Sequence, residues 1–142
     1  MIKSKITYIG PKAVDEKDQM LILFDASASK ELRAVSVIQE FEGPKDYDLA
    51  VGKQVVIGSK AYKITYLGDM VASNLLEIGH TVLQFKAVPD SPQHNAVYLE
   101  PQELPDLELG MEITFGWEQE KSLKSLISSF FNTNGYFLKL AT

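Results

Sequence analysis

Cysteine is absent from the 142 residues, which excludes disulfide bridges, thiolate metal sites and cysteine nucleophiles together. Histidine is nearly absent as well. Only His80 and His94 offer an imidazole, and neither has carboxylates arranged around it as paired metal ligands. Positive charge is in deficit: 14 Lys and Arg stand against 19 Asp and Glu, a net charge of −5. The basic residues are scattered along the chain and form no clustered patch interleaved with aromatics, so a nucleic-acid backbone finds no patch to bind. No apolar run approaches the roughly 20 residues that span a bilayer. The opening Met1-Ile-Lys-Ser-Lys5 lacks the apolar core and cleavage site of a secretion signal. A soluble, intracellular, single-domain protein is therefore expected. Neither a Gly-x-Ser-x-Gly elbow nor a phosphate-cradling Gly-x-x-x-x-Gly-Lys-Ser/Thr loop occurs, which removes support for acyl transfer and nucleotide hydrolysis. No internal repeat and no low-complexity segment is evident.

What is present is a series of short alternating or β-branched runs bounded by turn residues. Lys3–Ile9 alternates and stops at Gly10-Pro11, and Met20–Phe24 is an unbroken apolar run suited to a strand buried on both faces. The loop Asp25–Ser29 separates it from a third strand over Ala34–Phe41. Gln54–Ile57 and Ala61–Tyr66 flank Gly58-Ser-Lys60 as a hairpin. Asp69 is expected to cap a helix over Met70–Ile78, with Leu75, Leu76 and Ile78 inward and Gly79 as its left-handed stop. Strands resume at Thr81–Phe85, Ala96–Leu99 and Met111–Phe115. Eight short strands on this spacing predict a mostly β fold, a closed or nearly closed barrel with one short internal helix. After it, Leu123, Leu126, Ile127, Phe130 and Phe131 recur at helical spacing between Glu118 and Phe131, which predicts a C-terminal amphipathic helix. Its polar face is too poor in basic residues for a membrane surface, so it is expected to pack on the barrel or on a second subunit. Asn134-Gly135 then turns the chain into a short run, Tyr136–Leu140.

The side chains able to do chemistry are few. His94 lies in the loop Pro92-Gln-His-Asn95 and reads as a solvated histidine, while His80 follows Gly79 and reads as a residue on the capped end of the helix. The acidic cluster Asp15-Glu-Lys-Asp18 reads as a solvated face. A hydrolase using His80 with Asp69 or Glu77 has no motif behind it. No cofactor and no metal is expected.

The segment Gly68-Asp-Met-Val-Ala-Ser-Asn-Leu-Leu-Glu-Ile-Gly-His80-Thr-Val-Leu-Gln-Phe85 resembles the glucitol/sorbitol-specific IIA component of the bacterial phosphoenolpyruvate-dependent sugar phosphotransferase system. Asp18-Gln-Met-Leu-Ile22 and Ile6-Thr-Tyr-Ile-Gly10 match in the same order, and the resemblance runs from about residue 4 to about residue 115. It implies a cytoplasmic β-barrel over residues 1–116, with 117–142 as an additional tail. It also implies a phosphoryl relay from the histidine-containing phosphocarrier protein to the permease IIB and IIC components. The accepting histidine of the family falls on the strand matching Ser36-Val-Ile-Gln-Glu40, where this chain has Gln39. A second histidine two residues on corresponds to Phe41. An amide is neither basic nor nucleophilic, so Gln39 is expected to be inert, and His80 is the one matched histidine left. The alternative is a non-catalytic regulatory or protein-interaction module on the same barrel.

Overall fold

The computed structural model describes residues 1–118. Apart from Glu118 itself, the amphipathic helix expected from Glu118 to Phe131 lies outside the described residues, as does the run Tyr136–Leu140. In chain order the elements are β1 (Ile2–Ile9), β2 (Met20–Phe24), α1 (Lys30–Ala34), β3 (Val37–Glu42), β4 (Gln54–Ile57), β5 (Lys60–Leu67), α2 (Val71–Ile78), β6 (Thr81–Gln84), β7 (Ala96–Glu100) and β8 (Glu112–Trp117). The eight strands close into a barrel in the order β1-β3-β2-β6-β7-β5-β4-β8. Alternation explains the closure. Alternate side chains are buried from Ile2 to Ile6 in β1, along β4 and from Tyr62 to Ile64 in β5, so each strand hides one face in the barrel core, as with Ile2 and Ile6, Val55 and Ile57, Tyr62 and Ile64. Each such side chain contributes roughly 1.5–3 kcal/mol by leaving water.

Three local expectations are corrected. Ala34 does not belong to the third strand but ends α1, a helix that begins where the Ser29 hydroxyl accepts a hydrogen bond from the Leu32 N–H at 3.3 Å. Asp69 does not cap α2: the capping position is Met70, with no side-chain hydrogen bond, and the Asp69 carboxylate pairs with His94 instead. Val71 and Leu75 are the fully buried residues of α2 and Leu76 packs partly buried on the core, as expected of Leu75 and Leu76, while Ile78 is 40% exposed. The expected stop does hold, because Gly79 closes α2 in the left-handed conformation with φ +61°.

The expectation of no internal repeat is also corrected. β2 and β3 pair in parallel, as do β6 and β7, and all other neighbours are antiparallel. The ring therefore contains one three-strand unit twice, β1-β3-β2 followed by β6-β7-β5, related by a pseudo-twofold axis between β2 and β6. The correspondence extends to single residues. Ile6 pairs with Gln39, Tyr8 with Ile38 and Ile9 with Val37; in the second unit Ile64 pairs with Leu99, Tyr66 with Tyr98 and Leu67 with Val97, and both ladders shift register at the same step. The Thr7 hydroxyl donates to Ile38 O and the Thr65 hydroxyl to Tyr98 O. The Gly10 N–H donates to Ser36 O and the Gly68 N–H to Ala96 O, both at 2.9 Å. Leu23 and Phe24 pair with Val37 and Ile38, as Leu83 and Gln84 do with Val97 and Tyr98. Gln19, at φ +50°, occupies the place of Gly79.

Candidate functional site

Positions 37, 39 and 41 of β3 share the inner face of the barrel, and this puts the Gln39 amide in the wall, fully buried. Both ends of the amide are bonded. The Ser4 hydroxyl on β1 donates to its oxygen at 2.5 Å, and its nitrogen donates to Gly79 O at 3.0 Å. Phe41, the next inward side chain towards the barrel end, packs on the core, and its ring edge lies 3.1 Å from where a side chain on Gly79 would begin. Lys45 stands 5.0 Å above that ring and donates to Leu76 O at 2.7 Å. The carbonyls at the end of α2 are thus satisfied in an orderly way: Asn74 O by the His80 N–H, Leu75 O by the Gly79 N–H, Leu76 O by Lys45, Ile78 O by the Asp25 N–H and Gly79 O by Gln39.

The twin unit shows that this polarity is not required by the fold. There the place of Ser4 is taken by Tyr62, that of Gln39 by Leu99 and that of Phe41 by Pro101. The Phe85 N–H bonds Gln19 O, whereas its counterpart, the Asp25 N–H, bonds Ile78 O and leaves Gly79 O to Gln39.

His80 belongs to the other side of the wall. It precedes Thr81 on the face of Val82, which packs in the outer cluster with Ala96, Tyr98, Met20 and Ile22. The imidazole stacks on Phe24 with centroids 4.0 Å apart and planes 12° from parallel. Its Nδ1 lies 2.9 Å from Leu23 O, which can only accept, so the proton sits on Nδ1, and Nε2 receives the Asn95 amide at 3.3 Å. Gln39 and His80 are therefore linked through Gly79 but face opposite sides of the barrel wall. His80 is not paired with Asp69 or Glu77 as a hydrolase would need, since both of its ring nitrogens are engaged elsewhere and Asp69 holds exposed His94 at 2.8 Å. Ser4, Phe24 and Asn95 were missed at the level of sequence; the only signal was the inward position of Ser4 in the alternation of β1.

Residues 1–114 match the family described as the PTS system glucitol/sorbitol-specific IIA component. The chain belongs to this family. This IIA component is 30% identical over 114 residues to the glucitol/sorbitol-specific EIIA component of Escherichia coli (strain K12), covering 80% of this chain and 92% of that one. The same figures relate it to the counterpart from Shigella flexneri. Among solved structures it is similar to the PTS system IIA component from Enterococcus faecalis V583, at 35% identity and a TM-score of 0.77, covering 80% of this chain and 98% of that one. As a IIA component its setting is phosphoryl transfer between proteins of that system. Among its described residues no helix is long and apolar enough to cross a membrane.

Proposed function

We propose that this IIA component acts in the cytoplasm, docking with the histidine-containing phosphocarrier protein and the permease IIB and IIC components, without carrying the phosphoryl group at position 39. The observation behind this reading is the bonding of Gln39, in the place where the resemblance puts the accepting histidine. A neutral imidazole there would accept from Ser4 with one nitrogen and donate to Gly79 O with the other. The glutamine amide presents the same acceptor and the same donor but no basic lone pair on nitrogen. The wall is preserved and the nucleophile is removed, which favours a regulatory role in which docking persists and transfer stops. Incubated with phosphoenolpyruvate, the first enzyme of the system and the phosphocarrier, the wild type is expected to take up no acid-labile phosphate while still binding the phosphocarrier. Label on the wild type that is lost in His80→Ala would defeat this reading and place the acceptor on the outer face.

The segment beyond Glu118 is proposed to cover apolar surface, on this barrel or on a second copy. Its apolar stripe (Leu123, Leu126, Ile127, Phe130, Phe131) is the motive, since such a stripe on an acidic chain is unfavourable in water. A chain ending at Glu118 should melt at a lower temperature or lose solubility. A truncated protein that stays monodisperse with an unchanged melting temperature counts against this.

A further inference from the structure

On the outer face, between the end of β6 and the crossover from residue 85 to residue 95, lies an open cleft of about 290 Å³, at the lower edge of the range of small-molecule pockets. Its floor is Gln84, only 5% exposed, and its walls include Tyr98, Gln93 and Lys86. The Gln84 nitrogen donates to Gln93 Oε1 at 3.0 Å, but the Gln84 oxygen is buried without a partner. Reversing the Gln84 and Gln93 amides together moves the vacancy from an acceptor to a donor and does not fill it. A buried polar atom left unpaired destabilises a fold, and a ligand that supplies the missing partner removes that cost.

The twin unit removes the possibility that the barrel needs this polarity. The counterpart of Gln84 is Phe24 and that of Tyr98 is Ile38, paired in the same register. The same wall is therefore built once with two apolar side chains and once with an amide and a phenol. Around the polar copy two more groups point to a ligand. The Tyr98 oxygen accepts from the Gln93 N–H at 3.1 Å and still has its own proton to give. Lys86 lines the rim and makes no ion pair among the described residues.

We propose that this cleft is a binding site for a small polyol monophosphate. A hydroxyl group is both donor and acceptor, so neighbouring hydroxyls supply the proton Gln84 lacks and the oxygen Tyr98 can bond. The phosphate meets the ammonium of Lys86. Gln93 is exposed and swings aside to admit the ligand. The inference does not depend on how position 39 behaves.

The test is a titration of the full chain, labelled with ¹⁵N, with hexitol 6-phosphate, glycerol 3-phosphate, the free hexitol and inorganic phosphate. Saturable shifts of the Gln84, Lys86 and Gln93 amides with a phosphate ester are expected, with the free hexitol and inorganic phosphate each at least about tenfold weaker. Gln84→Phe copies the twin unit and should abolish binding while keeping the amide spectrum of a folded barrel. Lys86→Gln should weaken binding by about tenfold or more, the usual size for a hydrogen bond to a charged group. The proposal is overturned if neither ester saturates, if inorganic phosphate binds as tightly as the esters, or if affinity is unchanged in Gln84→Phe or Lys86→Gln.

Discussion

Replacing Gln39 by histidine together with Phe41 by histidine should turn an unlabelled protein into one that takes about one acid-labile phosphate per chain from the phosphocarrier. The first substitution supplies the nucleophile at little cost to the fold, because a neutral imidazole satisfies the Ser4 hydroxyl and Gly79 O as the amide does. The second addresses access. Position 39 is fully buried, and Phe41 lies between it and the barrel end, packed on the core with Lys45 over its ring. A phosphohistidine brought by another protein must approach the accepting nitrogen in line, and the larger, wholly apolar phenyl ring of Phe41 is expected to hinder that approach more than an imidazole would. Gln39→His alone is therefore expected to label at least about tenfold more slowly than the double variant, a difference of about 1.4 kcal/mol in the barrier. Equal rates for the single and double variants would show that Phe41 does not control access. Absence of label from both, with the amide spectrum intact, would mean that position 39 is not an acceptor site in this barrel. Gln39→Leu, the twin residue, gives a third comparison: it strands the Ser4 hydroxyl and Gly79 O and should lower stability by about 1–3 kcal/mol.

Gly10→Ala and Gly68→Ala should each lower stability by about 3 kcal/mol, and the two together by about 6 kcal/mol. A side chain on Gly10 would begin 2.2 Å from Arg33 O, and one on Gly68 would begin 2.2 Å from His94 O. Neither carbonyl is free to move, since the N–H groups of the same two glycines bond to Ser36 O and Ala96 O just beyond. The equality of the two contacts is the prediction: each glycine ends the first strand of its unit at the same point of the repeat, where the crossover of that unit passes over it. Forcing a methyl group into such a contact moves backbone, at a cost in the upper part of the overpacking range, and two such losses, about 6 kcal/mol together, match the low end of the 5–15 kcal/mol that holds a domain folded. Chemical denaturation of the two single variants reads the effect. A difference of more than about 2 kcal/mol between them would show that the halves are not mechanically equivalent.

The barrel was legible because alternation is a direct consequence of one buried face: Ile2, Ser4 and Ile6 point inward and Lys3 and Lys5 outward, and no distant information is needed to see it. Helix α1 was not legible, being five residues long with none buried, too short to show a period. The cap assigned to Asp69 failed for a related reason, as its partner His94 is distant in sequence and close only in the fold. The repeat left one readable trace, Ile6-Thr-Tyr-Ile-Gly10 against Ile64-Thr-Tyr-Leu-Gly68. Beyond that stretch identity survives at isolated core positions such as Leu23 with Leu83 and Val37 with Val97, while the polar positions diverge, Gln39 against Leu99 and Gln84 against Phe24. The site followed the same rule. Gln39 stood out through a resemblance, but the groups that bond it come from β1 and from the turn after α2, and no local pattern joins them.

Strand β8 has a consequence for the birth of the molecule. It is the last of the eight in the chain, yet it sits between β1, the first, and β4. While the chain is still leaving the ribosome the ring has a gap one strand wide, bordered by the bare rims of β1 and β4. Both repeated units can be complete by then and the cylinder still stands open, offering two rows of unpaired amides to any extended peptide that passes. Closure waits for Glu112–Trp117, so until that strand is made the two rims stay unpaired and the ring is expected to shut at this seam last.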